Sequence, residues 1–262
     1  MIWVIAGTLD GRGLAVHIQE TTEQPVFVSV VSQYGAQLAV HKGIEVHTGR
    51  LDEAAMCELI KDKGISMLVD ASHPYAAIVT ATAQKAANKM DIPFVRFERK
   101  EVPLPTYDKL HIVENEEDAA IVAAQLSKKS NSKVYLTTGS KTMHIFAKSE
   151  DLQDCEVWAR VLPTSEVLLM LEDLQVSPKY TVAVQGPFSY DMNKIMFHDT
   201  GAAVIVMKNS GLVGGADTKL QAAIDLGLHI VVIDRPGVPI KGPVISSKEE
   251  WNTLWEESNG LC

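Results

Sequence analysis

The stretch IWVIAGTLDGRGLA, residues 2–15, passes from an apolar run through a glycine turn into the start of an amphipathic segment. The run WVIA (3–6) reads as a strand buried on both faces. Gly7 lets the chain turn tightly. Gly11 and Gly13 permit close backbone approach and leave the amides of a helix N-terminus free for a phosphate. The spacing is G-x-x-x-G-x-G, which differs from the G-x-G-x-x-G dinucleotide fingerprint. Arg12 adds a planar donor fork suited to phosphate or carboxylate. The same passage recurs in LTTGSKTMHIF (136–146), where Gly139, Ser140 and Lys141 follow a second apolar run and can hold a pyrophosphate or a ribose. Either loop also reads as a compact turn with a capped helix and no ligand.

Working outward, further apolar runs at 26–31, 67–70, 94–97, 156–161, 181–184, 203–207 and 229–234 alternate with helical patterns at 52–63, 75–90, 116–128, 165–174 and 217–226. Such alternation predicts an α/β protein with mainly parallel sheets. The Ser- and Lys-rich stretch 127–133 marks the expected seam between an N-terminal lobe, 1–130, and a C-terminal lobe, 131–262. AANKMDIPFVRFER (86–99) aligns without gaps with AAIDLGLHIVVIDR (222–235), which is the mark of a duplication or of the generic helix, turn and strand unit.

Composition excludes several classes. The 46% hydrophobic and 22% charged content suits a packed globular chain, and no apolar run approaches the roughly 18 residues of a membrane span. MIWVIAG has no basic segment before its apolar run and reads as a first strand, not a signal peptide, so the cytoplasm is expected. Cys57, Cys155 and Cys262 are scattered, and the eight histidines show no ligand spacing, so neither a disulfide framework nor a metal is expected. A net charge of −9 without a basic block disfavours nucleic acid.

Two more loops directly after strands carry unusual chemistry, and in open parallel sheets such loops bind ligands. In DASHPYAA (70–77), Ser72 is placed to cap the next helix, Pro74 stiffens its entry, and His73 and Tyr75 are candidate proton donors. The pair AVQGPFSYDMNKIMF (183–197) and VMKNSGLVGGADTKLQAA (207–223) joins Lys208 and Lys219 to the amide-rich Ser210, Gly211, Gly214 and Gly215 loop, a receptor for carboxylate or phosphate. Ser29, Ser32, Gln33 and Tyr34, after the second apolar run, supply no acid for a ribose hydroxyl, which leaves NADPH and NADH both open.

In order, GTLDGRGLA, DASHPYA, RFER (96–99), TTGS, RVLP (160–163), QGPFS, KNSG with GG and K, and IDRP (233–236) make the chain resemble the precorrin-6A reductase family, including its cobalt-precorrin-6A counterpart. The resemblance implies two Rossmann-like lobes with an inter-lobe cleft, and hydride transfer from NADPH or NADH to a polycarboxylate tetrapyrrole in cobalamin biosynthesis. It implies cofactor contacts at Gly7, Thr8, Asp10, Gly11, Arg12, Gly139, Ser140 and Lys141. Substrate contacts follow at Ser72, Arg160, Gln185, Gly186, Pro187 and Phe188, and at Ser210, Gly214, Gly215 and Lys219. His73, Tyr75 or Lys208 would supply the accompanying proton. Ala6 and Leu9 depart from the family's commoner glycine turn. Two other readings fit two nucleotide-fold lobes: a nucleotide-sugar-dependent transferase, and a non-catalytic dinucleotide- or tetrapyrrole-binding module. Oligomeric state stays open.

Overall fold

The computed structural model describes residues 1–41, 43–130 and 133–259 of the 262-residue chain. In chain order the strands and helices begin β1 (Ile2–Ile5), α1 (Leu9–Thr21), β2 (Val26–Val30), α2 (Gln33–Ala39), β3 (Glu45–Thr48), α3 (Glu53–Lys63), β4 (Met67–Asp70), α4 (Ala77–Lys89) and β5 (Phe94–Phe97). They continue β6 (Leu110–Val113), α5 (Glu116–Ser130), β7 (Lys133–Leu136), α6 (Met143–Lys148), β8 (Val157–Val161), α7 (Ser165–Asp173), β9 (Thr181–Ala183), α8 (Tyr190–Asp199) and β10 (Ala202–Lys208). The last are α9 (Ala216–Asp225), β11 (His229–Ile233), β12 (Val244–Ile245) and α10 (Lys248–Asn259).

The chain divides into two compact units, Met1–Lys100 joined by the segment from Gly237 onward, and Glu101–Pro236. The first holds a six-stranded sheet in the order β12-β5-β4-β1-β2-β3, and the second one in the order β6-β11-β10-β7-β8-β9. All pairings are parallel. The two orders are the same Rossmann-like arrangement, except that each sheet takes its sixth strand from the other half of the chain. β6 follows β5 in sequence yet pairs with β11, and β12 follows β11 yet pairs with β5.

This exchange moves the boundary expected at 130/131. The polar residues 127–130 are the end of α5, whose Ala119, Ala120, Ala123 and Ala124 are buried, and the next strand stays in the same unit. The crossings fall instead at 100/101 and 236/237. Asn131 and Ser132 of the expected seam, and Cys262, lie outside the described residues. The aligned segments 86–99 and 222–235 do occupy equivalent places: α4 and α9 end at aligned positions, and β5 and β11 follow them.

Within the first unit, strand alternation separates two apolar layers. Ile2 and Val4 face a cluster with Leu14 and Ile18 of α1 and Trp251 of α10, while Trp3 and Ile5 face Met56, Ile60, Ala83 and Ala87 of α3 and α4. Trp3 also donates from Nε1 to Ser29 Oγ at 2.8 Å, so its one polar atom is satisfied inside. The C-terminal segment covers this unit: Trp251 is 1% exposed, and Leu254 and Trp255 pack against the same cluster. In the second unit Tyr135, Ile205, Met207, Ile230 and Val232 meet Phe197 and Leu220 of α8 and α9.

All nine expected strands are present, and β3, β6 and β12 are additional. Among the described residues no helix is long and apolar enough to cross a membrane, and no three His, Cys, Asp or Glu are grouped to hold a metal ion.

Candidate active site

In each unit the chain reverses its direction across the sheet at one point, between β1 and β4 and between β7 and β10. Loops after those strands stand at the usual ligand position of such sheets. They are the loops that carry GTLDGRG, DASHPYA, TTGSKT and KNSGLVGG.

In the first unit, Thr8 caps α1, its hydroxyl accepting from Gly11 N at 3.1 Å. Gly11 is buried, and a Cβ there would stand 2.6 Å from the Ala71 carbonyl oxygen. Its bare Cα therefore lets α1 close on the loop after β4, and phosphate approach is left to Gly7 and Gly13. At these two, an added Cβ meets nothing within 4 Å. Asp10, in the first turn, is matched by Arg99, which donates from Nη2 at 2.7 Å. Arg12 is half-buried and lines a crevice of about 200 Å³ with Val28, Leu38, His41 and Ile44. Among the described residues its guanidinium has no acceptor.

The DASHPYA loop is held from below. Asp70 (0% exposed) and Arg96 (1%) form a buried ion pair, Nη1 to Oδ2 at 2.8 Å. The same Nη1 donates to Asp70 O at 3.3 Å and Ser72 Oγ at 3.2 Å, and Ser72 N donates to Asp70 Oδ1 at 3.0 Å. Ser72 is thus absorbed in this network and does not cap a helix; α4 begins after Ala76 with no side-chain cap. His73 Nδ1 accepts from Tyr75 N at 3.3 Å, which leaves Nε2 to carry the ring proton of the neutral imidazole. The two rings lie 5.6 Å apart.

In the second unit, Gly139 has φ 80° and open space where a Cβ would be, with Ser140 half-buried and Lys141 exposed beside it. The hydroxyls of Thr138 and Thr142 in that loop are buried with no partner. The glycine, the open space and the unpaired hydroxyls suit a phosphate-bearing cofactor here, as the space above Gly7 and Gly13 does in the first unit. Lys208 is bound to Glu116 at 2.6 Å, so its charge is already balanced. Arg235 reaches Glu101 and the carbonyl of Asn209 at 3.1 Å each, and Asn209 brackets Val102 through both of its amide atoms. Ser210 donates to Gly214 O at 3.3 Å, which closes the glycine loop on itself.

Arg160 lies in a pocket of mixed character. Its Nη1 donates to Asn193 Oδ1 at 2.8 Å, and its guanidinium carbon sits 4.5 Å from the Phe188 ring centroid. Asn193 in turn donates to Ser189 O, Phe188 O and Thr218 Oγ1, tying the QGPFS loop to α9. Gly186, joined to Pro187 by a cis peptide, has the Phe188 ring where a Cβ would go, at 2.8 Å, so the ring can fold back over Arg160. Burial holds the Arg160 guanidinium below its ordinary range, and pushes Tyr135 up to about 12 despite the nearby cation. Lys219 is buried and is brought down to about 7, first by burial and then by Arg160.

Sequence reasoning placed the loops but missed what supports them. Asp70, Arg96, Asn193 and Tyr135 are polar groups on strands or inside a helix. The one visible sign was a charge at a strand position, as in FVRF and MLVD.

Residues 1–255 match the family model described as Precorrin-6x reductase CbiJ/CobK. The chain is 37% identical over 251 residues to the cobalt-precorrin-6A reductase of Priestia megaterium, covering 95% of this chain and 96% of that one. It is 32% identical over 249 residues to the cobalt-precorrin-6A reductase of Methanothermobacter thermautotrophicus, covering 92% and 78%. A solved structure titled CobK precorrin-6A reductase superposes with a TM-score of 0.76 at 22% identity, over 99% of this chain and 97% of that one.

Proposed function

The chain belongs to the precorrin-6x reductase family, and from that premise we propose that it is an oxidoreductase that uses a reduced nicotinamide to saturate a double bond of precorrin-6A or its cobalt form. One observation carries the reading: the match runs from residue 1 to 255 and so includes every strand-end loop described above. It favours reduction over the nucleotide-sugar transferase and the non-catalytic module.

The bound cofactor supplies the hydride, and the protein supplies orientation and electrostatics. Gly7, Thr8, Arg12 and Gly13 at the capped start of α1 form one phosphate-binding turn, which Gly11 lets pack on the loop after β4, with Asp10 neutralised by Arg99. Gly139, Ser140 and Lys141 form the other. His73, with its proton on Nε2 and Tyr75 beside it, is the better-suited proton donor, because Lys208 is committed to Glu116. Arg160, Lys219, Ser210 and the Gln185–Phe188 and Gly214–Gly215 loops face the substrate's carboxylates.

For the cofactor we infer NADPH. The end of β2, from Ser29 to Ser32, offers no carboxylate to a ribose hydroxyl, whereas Arg12, beside β2 and α2, has a donor fork without an acceptor among the described residues. Anaerobic incubation with precorrin-6A or cobalt-precorrin-6A and each reduced nicotinamide should show cofactor loss that depends on the macrocycle. Arg12→Gln should raise KM for NADPH at least tenfold and leave that for NADH within twofold. No macrocycle-dependent oxidation in either case overturns the reading.

A further inference from the structure

The cations around the strand ends fall into two groups. Arg96, Arg99, Lys208 and Arg235 each have a carboxylate partner: Asp70, Asp10, Glu116 and Glu101. Arg160 and Lys219 have none among the described residues. They are also among the least exposed cations, at 8% and 7%. Arg160 spends one donor on a neutral amide, Asn193, and a weaker contact on Met196 sulfur. Among the described residues the Lys219 ammonium has no hydrogen-bond acceptor.

Lys219 stands in the first turn of α9. That helix begins behind Gly215, held at φ 64°; Ala216 N donates to Gly211 O at 3.2 Å, and no side chain caps the amides that follow. Its positive end, the Lys219 amine and a desolvated guanidinium therefore share one locality, and among the described residues no carboxylate is in ion-pair contact with either side chain. The charged and titratable groups acting there are Arg160 of β8 and Asp217 of α9 itself; Tyr135 of β7 lies under Arg160, and α8 presents the neutral Asn193. Asp217 acts only through its field, and it is outweighed by burial and by Arg160. Burial without a counter-charge is unfavourable for the Arg160 guanidinium and drives the proton from Lys219, and both effects are offset when an anion arrives.

We propose that Arg160, Lys219 and the uncapped start of α9 form a receptor for one carboxylate of the ligand, and that filling it draws a proton onto Lys219. That the carboxylate belongs to the macrocyclic substrate rests on the reductase reading; a cofactor phosphate shares the chemistry. Free of ligand, Lys219 is largely neutral at pH 8, because its titration lies near 7. A carboxylate beside it restores the charge, so the complex takes up a proton and binding tightens as pH falls from about 9 to about 7.

Calorimetric titration at pH 8, in two buffers of different ionisation enthalpy, reads the proton directly. Cobalt-precorrin-6A, added without cofactor, should take up close to one proton, and NADP⁺, added without substrate, close to none. In Lys219→Met the uptake should vanish and cobalt-precorrin-6A should bind at least tenfold more weakly, with NADP⁺ affinity within twofold. Arg160→Gln keeps the ammonium but removes its repelling neighbour, so uptake at pH 8 should shrink while binding also weakens. Uptake that follows NADP⁺ instead overturns the carboxylate assignment in favour of phosphate. No uptake with either, or an unchanged Lys219→Met, overturns the receptor. If cobalt-precorrin-6A neither binds nor is reduced, the reductase reading fails, and inorganic phosphate then judges the receptor: it must raise the melting temperature of the wild type and not that of Lys219→Met. Methionine matches the length of lysine without the buried charge, so this variant should melt no lower than the wild type.

Discussion

Lys219 ties stability to pH in a definite direction. Its ammonium titrates near 10.5 when unfolded and near 7 when folded, so between these values the unfolded chain holds a proton that the folded chain lacks. This group therefore makes stability rise with pH from about 7 towards 10.5, and its full destabilising effect is present below 7. Lys219→Met should gain on the order of a few kcal/mol over the wild type at pH 6. The gain should disappear by about pH 10.5, in denaturant melts across that range. Asp70→Asn leaves the buried Arg96 charge with Glu98, at 3.2 Å from Nε, as its remaining carboxylate and should cost up to about 3 kcal/mol by urea denaturation. Of these two, Lys219 alone had a role legible in the sequence. Lys219 was singled out as a cation near glycines, but its burial depends on α8 and β8, more than fifty residues away for β8. Ser72 was read as a cap because a hydroxyl near a helix start usually is one; Asp70 and Arg96 claim it first.

At the scale of the element, the glycines of α1 divide by what their missing side chains make room for. Gly11→Ala would drive a Cβ onto the Ala71 carbonyl and should cost about 1–3 kcal/mol. Gly13→Ala enters open space inside the helix and should stabilise by about 0.5–1 kcal/mol, yet weaken NADPH binding if that space holds the cofactor. Denaturant midpoints and cofactor titrations on the two variants separate these roles. Apolar runs such as VFVSV and AVIVM were readable as strands because parallel strands covered on both faces carry little polar residue. EVHT, LHIV and VI were not, since the first two are partly exposed and mixed in polarity and the third is two residues long. All three lie at sheet edges, where burial asks less of the sequence.

For the whole molecule, the exchange of sixth strands makes the C-terminal segment part of the first unit's core. Trp251→Ala should therefore cost about 3–5 kcal/mol, although it lies some 150 residues from the strand that β12 completes. Thermal melts of the full chain check this, and a loss under 1 kcal/mol would mean that α10 is only a surface helix. The sequence repeat was visible at 86–99 and 222–235, but a boundary drawn from polar composition could not show the exchange, because pairing of distant strands leaves no local trace. As a reductase of this family, the molecule passes a hydride from a nicotinamide to the macrocycle that it holds. Anaerobic turnover of cobalt-precorrin-6A with NADPH deuterated at the transferable position tests it most directly. One deuteron bound to carbon in the product is expected by mass spectrometry. A product without deuterium, or a substrate left unreduced while the same preparation binds NADPH, would contradict it.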